Sequence, residues 1–380
     1  MASHSASVRL LRDLIALPSV NPAFHDDPSL HGEHRVGGFL ESAARLRGLE
    51  TQWQPVVPGR SNLLVRLRPP GPIRQRVLLA PHLDTVGEPD YAVQLRPRVR
   101  DGRVFGRGAC DTKGSVAAFF QAVLNLAGGG RRPAHTEIVF VGLVDEENMQ
   151  LGSRHLARIG PKADLALAGE PTGLEVVTAH KGDVWLRLKT TGRPAHGATP
   201  HRGRNAVSAM APIVLALEGG YAAELASRPA HPLLGRPTIN VGRIEGGRQP
   251  NIVPASCTID IDRRTLPGES EAGVRREIAA FLRRQGLRAG FDTLRTSPCE
   301  PLDTDSSLPL VRALTRAAGR RRTLGVHYFT DAAPLAAGGT PSVVFGPGDI
   351  AQAHTACEWL AIDQLESAVR ILERFLRDLD

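Results

Sequence analysis

The chain has 380 residues, 42% of them hydrophobic and 23% charged, with a formal net charge of +8, which favours a soluble protein of two domains. Nearly all of the basic charge is arginine scattered among Asp and Glu, so we expect no nucleic-acid partner. We expect a cytoplasmic protein without membrane contact, because no window reaches the ~18 uninterrupted apolar residues of a membrane helix and charges interrupt the apolar N-terminal stretch.

Four cysteines lie far apart in the chain, without a Cys-x-x-Cys spacing. They suggest neither a disulfide framework nor a thiolate zinc site. We expect Cys110 and Cys357 to be small buried residues rather than reactive thiols.

The first ~180 residues alternate between helical and strand-like patterns, which predicts a layered α/β sheet with helices on its faces. The predicted elements in chain order are helices at Val8–Leu17 and Gly38–Leu49, strands in SNLLVRL and RVLLAPHL, a helix in VAAFFQAVLNLAGGG, a strand in TEIVFVG, a short helix, and a strand in ADLALAG. Several of these strands end in acidic or histidine residues, where functional groups gather in such sheets.

From His180 the pattern changes to strand, helix, two strands, helix and strand, the split βαβ plan of a ferredoxin-like unit. The chain then returns to α/β character with a helix at Leu308–Ala318, the strand PSVVFGPG and a closing helix at Ile362–Leu379. We therefore predict a discontinuous catalytic domain at 1–179 and 294–380, and an inserted lid or dimerisation domain at 180–293.

The stretch VLLAPHLDTVG places His82 and Asp84 two positions apart at the end of a predicted strand. Residues i and i+2 of a strand point to one face, so the two side chains can touch. A carboxylate beside an imidazole is found at metal-bound histidines, but by itself the pair more often indicates an ordinary hydrogen bond at a strand end.

More acids and a second histidine occupy the other turns: Asp111 in GRGACDTKG, Glu146 and Glu147 in VDEEN, Glu170 in AGEPTG, and His354 in GPGDIAQAHT. Nitrogen and oxygen ligands without cysteine suit Zn²⁺, Co²⁺ or Mn²⁺, and the set is large enough for two ions.

These motifs, in this order, resemble the dinuclear zinc aminoacylase, deacetylase and carboxypeptidase family of the acetylornithine deacetylase and succinyl-diaminopimelate desuccinylase type. The resemblance covers almost the whole chain and rests on APHLDTVG, GRGACDTKGSVAA, VDEE, GEPTG, AHGATPHRGRNAV, DRRTLPG, TDAAPL and FGPGDIAQAHTACE. It implies a metal-dependent amidohydrolase that cleaves N-acyl-L-amino acids by attack of a metal-bridging hydroxide.

The resemblance also implies site roles. His82 and Glu170 would be terminal ligands of one zinc ion and Glu147 and His354 of the other, with Asp111 bridging. Asp84 would orient His82, and Glu146 would be the general base. In the inserted domain His196 would reach across a homodimer interface to the oxyanion, and Arg264 and Asn251 would hold the substrate carboxylate; of the adjacent pair Arg263 and Arg264, we expect one to be a solvated surface residue.

Two alternatives stay open. A dipeptidase or a glutamate-releasing carboxypeptidase would use the same metals and differ in the group attached to the scissile nitrogen. A non-catalytic metal-binding or ligand-binding relative is a further possibility, although such a protein has no need of the proton carrier Glu146.

Overall fold

The computed structural model describes residues 5–87, 94–129, 132–295 and 297–380. The chain divides by its internal contacts into two compact units. Unit 1 comprises Met1–Thr178, Thr304–Leu324 and Thr330–Asp380, and unit 2 comprises Ala179–Asp303 and Gly325–Phe329.

Unit 2 is longer than the 180–293 range predicted from sequence, for two reasons. Leu302 and Asp303 form a short strand paired with His180 and Ala179. The segment Gly325–Phe329 is added because the Lys181 N–H donates a hydrogen bond to the Val326 carbonyl oxygen, 3.2 Å away.

The helices are α1 (Ala6–Ala16), α2 (Glu33–Leu46), α3 (Lys113–Ala127), α4 (Leu151–Ile159), α5 (Ala206–Ala216), α6 (Ala222–Ala226), α7 (Glu271–Arg284), α8 (Pro309–Ala317), α9 (Ala332–Ala337) and α10 (Ile362–Arg377). Short 3₁₀ or π turns lie at Pro200–Arg202, Leu217–Tyr221 and Ile350–Gln352. Gly128 caps the end of α3, whereas Gly130, also predicted to end it, lies outside the described residues.

The strands are β1 (Glu50–Val57), β2 (Arg60–Leu67), β3 (Gln75–Pro81), β4 (Arg98–Arg100), β5 (Arg103–Phe105), β6 (Thr136–Gly142), β7 (Leu165–Gly169), β8 (Val177–His180), β9 (Gly182–Thr191), β10 (Thr238–Gly246), β11 (Ser256–Thr265), β12 (Gly290–Thr293), β13 (Leu302–Asp303), β14 (Leu324–Val326), β15 (Ser342–Phe345) and β16 (Trp359–Ala361).

The large sheet has parallel strands at its centre and antiparallel strands at its margins. Within the described residues its order is β1-β2-β6-β3-β7-β15-β8-β13, with β14 also paired to β8. Strand β3 runs parallel to both β6 and β7, and β7 runs parallel to β15. The pairings of β1 with β2 and of β2 with β6 are antiparallel. The predicted mixed sheet is therefore confirmed.

The central strands are apolar throughout because both faces of the sheet are covered. Val77 and Leu79 of β3 pack into a core with helices α1, α3 and α10, whereas Leu78 and Ala80 face a second core that includes Leu156 of α4. Helices therefore flank the sheet on both faces, as predicted.

Two elements near the N-terminus differ from the sequence prediction. Strand β1 was not predicted, since its sequence ETQWQPVV is polar and contains Pro55; the strand lies at the sheet margin, where proline is tolerated. Helix α2 begins at Glu33 rather than Gly38. Gly37 weakens the helical pattern of the sequence at this point. The position is occupied by glycine because a Cβ atom there would collide with the Trp53 ring.

Unit 2 contains a four-stranded antiparallel sheet of order β10-β11-β9-β12. Its core combines one face of the sheet with apolar residues of helices α5 and α7, including Met210, Ile213 and Ile278. By length and composition alone, the helical stretch Ala206–Ala226 is the one among the described residues that could cross a membrane. Met210 and Ile213 in this stretch are buried in the unit's own core.

Candidate metal centre

The site residues of unit 1 follow the carboxyl ends of neighbouring parallel strands. His82 comes directly after β3, Glu170 directly after β7, and Glu146 and Glu147 shortly after β6. Parallel strands end at the same edge of a sheet, so these four side chains meet there. All but Glu147 are residues with at most 7% of their surface exposed.

Asp111 lies between two histidines that are distant in sequence. Its Oδ1 atom is 3.2 Å from His82 Nε2, and its Oδ2 atom is 3.4 Å from His354 Nε2. One carboxylate thus presents a different oxygen to each imidazole. This is the arrangement that a ligand shared by two metal ions needs.

Each histidine is accompanied by further carboxylates. Glu170 Oε1 lies 3.7 Å and Glu146 Oε2 4.0 Å from His82 Nε2, while Glu147 Oε2 lies 3.1 Å from His354 Nε2. Among the residues that the structure describes, two groups have ligand atoms within 4.8 Å of one another and could hold a metal ion: His82 with Asp111 and Glu147, and His82 with Glu146 and Glu170.

The donor set fits divalent cations. The Oε1 atom of Glu147 is buried and has no hydrogen-bond partner, which is costly unless a cation faces it. Imidazole nitrogens and carboxylate oxygens are the ligands of Zn²⁺, Co²⁺ and Mn²⁺ sites. His354 has a left-handed backbone with φ of 58°, a conformation that costs a non-glycine residue energy and often marks functional sites.

The pKa values of the cluster reflect crowded carboxylates. Burial, followed by the charge of Asp111, raises the pKa of Glu147 to about 7. Hydrogen bonds to Asp111 and Glu147 raise the pKa of His354 to about 10. Burial alone would lower the pKa of His82, but Glu170 and Asp111 outweigh it and hold that pKa well above 6.5. The raised pKa values thus reflect an excess of buried negative charge, which divalent cations would compensate.

Glu146 has a different environment from the terminal ligands. Burial raises its pKa well above the ordinary value of 4.5, and the neighbouring Glu170 raises it further. A buried carboxyl group with a raised pKa is suited to proton transfer.

Asp84 contacts both His82 and the turn that carries Glu146 and Glu147. Its Oδ1 atom is 3.3 Å from His82 Nδ1, and its backbone oxygen is 3.0 Å from the same nitrogen. The carboxylate also accepts the backbone N–H groups of Glu146 and Glu147 at 3.1 and 3.2 Å. Asp84 therefore orients the imidazole and fixes the turn that carries both glutamates.

Sequence reasoning missed residues behind this turn. Asn21 Nδ2 donates to Asp84 Oδ2 at 2.7 Å and to Asp145 Oδ1 at 2.9 Å. Arg60 reaches Asp145 and forms a two-pronged pair with Glu33, each contact at 2.6 Å. The motif IALPSVNP contains Asn21, but nothing in the motif itself shows that its amide turns inward.

The three predicted residues of the inserted domain lie in unit 2. His196 is exposed, and its Nδ1 accepts the Ala198 N–H at 3.1 Å. Asn251 is in the adjacent segment, where its carbonyl oxygen accepts the Gly197 N–H at 2.7 Å. Arg264 on β11 makes a two-pronged pair with Asp262, at 2.9 and 2.8 Å.

Arg263 is fully buried and pairs with Glu269 at 2.6 Å, because it lies on the same core-facing side of β11 as Ile261. Arg264 lies on the other face, and its side chain is 29% exposed. One expectation needs correction. Cys357 is exposed rather than buried, whereas the next residue, Glu358, is buried. The expectation for Cys110, a buried thiol, matches the structure.

A family model described as "Peptidase family M20/M25/M40" matches residues 78–378 of the chain. An acetylornithine deacetylase from Vibrio cholerae is 31% identical over 357 residues, covering 91% of this chain and 92% of the relative. A probable carboxypeptidase from Emericella nidulans is 30% identical over 393 aligned positions, covering 96% of this chain and 88% of the relative.

Among solved structures, a tripeptidase from Staphylococcus aureus matches with a TM-score of 0.79 at 20% identity. The match covers 98% of this chain and 97% of the tripeptidase chain. At that identity the likeness concerns the fold. It extends over both units, so the fold of each unit is shared.

Proposed function

We propose that this chain, which belongs to peptidase family M20/M25/M40 and is therefore a metal-dependent hydrolase of amide bonds, removes the acyl group from an N-acyl-L-amino acid. An acetylornithine deacetylase-like or succinyl-diaminopimelate desuccinylase-like reaction would release a carboxylate and a free amine. The similarity to acetylornithine deacetylase along nearly the full chain supports this substrate class over other amides.

The observation that carries the proposal is the position of Asp111. Its two oxygens face the two histidines His82 and His354 separately, and each histidine has its own glutamate beside it. We propose that one Zn²⁺ ion is held by His82, Glu170 and Asp111, and a second by His354, Glu147 and Asp111. Co²⁺ or Mn²⁺ would suit the same ligands.

When bound, a pair of divalent ions would polarise the amide carbonyl and supply an activated water as the nucleophile. Glu146 would accept a proton from that water and return it to the leaving nitrogen. Its buried position near His82 and its raised pKa support this role, because the group has to hold the proton between the two steps. Asp84 would keep the His82 ring and the Glu146 backbone in place.

Unit 2 would supply the remaining polar contacts. Since Nδ1 of His196 accepts a hydrogen bond, the neutral ring carries its proton on the exposed Nε2 atom, where it can donate to an oxyanion. Arg264 and Asn251 would hold the substrate carboxylate. Arg264 is already paired with Asp262, so a carboxylate has to compete for its guanidinium group or share it.

We propose that the protein is a homodimer assembled through unit 2. Strand β10 is an edge strand of its sheet, with unpaired backbone groups that a second copy could pair. Ile244 on β10 is 57% exposed and Leu215 at the end of α5 is 74% exposed. Sedimentation of the parent and of L215K/I244K tests the idea: a monomeric double variant supports it, and a parent that is itself monomeric at assay concentration rejects it.

A cytoplasmic location is proposed on separate grounds. Cys110, Cys257 and Cys357, which lie in the described part of the chain, are free thiols. Free thiols persist where the compartment is reducing.

The substrate class is tested by a panel of N-acetyl, N-succinyl and dipeptide substrates, with released amine as the readout after zinc reconstitution. We expect a kcat/KM at least tenfold higher for an N-acyl amino acid than for any dipeptide. The second candidate, a dipeptidase or carboxypeptidase, is favoured by the similarity to the Emericella nidulans carboxypeptidase. A preference for dipeptides, or for substrates that release a C-terminal glutamate, would replace our proposal with that one.

A further inference from the structure

The loop that carries Asp111 has no helix or strand of its own. Residues 106–112 connect the end of β5 to the start of α3. Backbone N–H groups in a buried loop need acceptors, and here three of them share one acceptor side chain. The Glu358 Oε1 atom accepts the N–H of Cys110 at 2.7 Å and of Asp111 at 2.8 Å, and Oε2 accepts the Gly108 N–H at 2.8 Å.

The charge of Glu358 is balanced inside the protein. Arg107 Nη1 donates to Glu358 Oε2 at 2.8 Å, and both side chains are only 1% exposed. The Glu358 carbonyl oxygen also accepts the Gly106 N–H at 3.1 Å. A buried carboxylate with four donors on its two oxygens makes a rigid junction, because charge-assisted hydrogen bonds are strong and a lost partner leaves an unpaired buried charge.

Glu358 joins two parts of the candidate metal centre. Its side chain accepts hydrogen bonds from the loop that carries Asp111, and it lies four residues after His354 in the same segment. Pairing of Trp359 and Leu360 with Phe105 and Val104 holds that segment against the strand that precedes the loop.

We propose that Glu358 is a positioning residue that sets Asp111 and His354 relative to each other, and thereby determines the affinity of the second metal position, formed by Asp111, Glu147 and His354. This inference rests on the proposed two-metal function. The first position depends less on Glu358, since its other ligands, His82 and Glu170, are placed by the ends of β3 and β7.

Glu358→Gln is the most informative change. Each carboxylate oxygen accepts two hydrogen bonds, whereas an amide keeps one acceptor oxygen and turns an NH₂ group towards two donors. Either the Cys110 and Asp111 amides or the Gly108 amide and Arg107 then lose their acceptor. Supporting residues of a metal site change metal affinity by roughly 10- to 100-fold.

The test is a titration of metal-depleted protein with Zn²⁺ by calorimetry and with Co²⁺ by visible absorption, comparing the parent, E358Q and a control, E366Q. Glu366 lies on helix α10, and its side chain is 34% exposed. We expect two binding events in the parent and in E366Q. In E358Q we expect one event of near-parent affinity and a second weakened roughly 10- to 100-fold.

E358D is the second variant, used if E358Q does not fold by circular dichroism. It keeps the charge but withdraws the carboxylate by one methylene, so we expect the same selective loss. Parent-like affinity for both ions, an equal loss of both, or failure of both variants to fold would each overturn the inference. A parent that binds two ions but cleaves no N-acyl amino acid would instead refute the proposed function and leave the role of Glu358 standing.

Discussion

Two regions of the molecule differ in the partners of their acids. In unit 2 the acids near the arginines of β11 are paired within the chain: Glu269 with Arg263 and Asp262 with Arg264. At the strand-end edge of unit 1, Glu146, Glu147 and Glu170 meet histidines and one another, and within the described part of the chain none of them forms an ion pair with lysine or arginine.

An arginine beside a carboxylate compensates its negative charge within the chain. Glu147 and Glu170 have no such arginine among the described residues, and burial raises the pKa of both carboxyl groups. In the proposed metal centre, divalent cations would compensate their charge. Arg60 with Glu33 and Asp145 shows that unit 1 also pairs acids with arginine, immediately behind the site.

The largest expected effect is a loss of catalysis without a loss of metal binding at the strand-end edge of unit 1. Glu146→Gln should lower kcat by roughly 10²- to 10⁴-fold, because the proton carrier is lost while the proposed ligands remain. Metal content by plasma mass spectrometry should stay at the parent level, and E366Q should keep full activity. Full activity in E146Q would reject the assignment of the base.

Removing an acid should change the free energy of unfolding in opposite directions in the two regions. Glu269→Gln should destabilise the protein by about 3 kcal/mol, because it leaves the buried Arg263 charge without its acid. Glu147→Gln should instead stabilise the metal-free protein at pH 8 by on the order of 1–3 kcal/mol, since the folded state no longer holds a raised-pKa carboxylate. Urea unfolding of both variants without metal gives the signs; equal signs would end the distinction between the two regions.

The third prediction concerns pH. The pKa of Glu147 rises from 4.5 to about 7 in the metal-free fold, and that of His354 from 6.5 to about 10. Both groups bind a proton more tightly when folded, so their contribution is complete below their unfolded pKa values and is lost as pH rises through the folded ones. Metal-free stability should therefore fall progressively from about pH 4.5 to about pH 10.

Zinc should reverse that loss, because its ligands are bound in their deprotonated forms. The increase in melting temperature on adding Zn²⁺ should be larger at pH 8 than at pH 5.5, as measured by differential scanning calorimetry with buffers of matched ionic strength. A zinc effect that shrinks with rising pH would contradict the account of the cluster.

The smallest expected effect is that of Asn21, which contacts no proposed ligand side chain. Asn21→Ala removes the amide that joins Asp84 to Asp145, so the turn carrying Glu146 and Glu147 loses one support. We expect kcat to fall about tenfold, with KM within a factor of two. Asn125→Ala, on helix α3 and away from the site, is the matched control; equal effects in both variants would deny Asn21 a specific role.

The sequence predicted the strand-end part of the site because that part depends on local rules. His82 and Glu170 follow apolar runs whose parallel pairing brings their ends to one edge, so proximity follows from the fold class. The same reasoning could have predicted that Arg263 is more buried than Arg264. Ile259, Ile261 and Arg263 are two positions apart on β11, so their side chains share the face that packs into the core.

Glu358 and Asn21 could not be found in this way. Glu358 acts on a loop about 250 positions earlier in the chain, and the pairing of β5 with β16 that brings them together involves strands of three residues each. Short strands carry almost no periodic signal.

Asp331 of the motif TDAAPL had no predicted role. It is buried, accepts a hydrogen bond from Ser153, and burial raises its pKa to about 7.

In the proposed metal centre, the buried acids of unit 1 hold two divalent cations that share Asp111. Crystals grown with Zn²⁺ and measured on both sides of the zinc absorption edge test it most directly. We predict two anomalous peaks per chain, one between Asp111 and the His82–Glu170 pair and one between Asp111 and the His354–Glu147 pair. Peaks located elsewhere, or zinc-bound protein in which Asp111 contacts neither ion, would contradict the account.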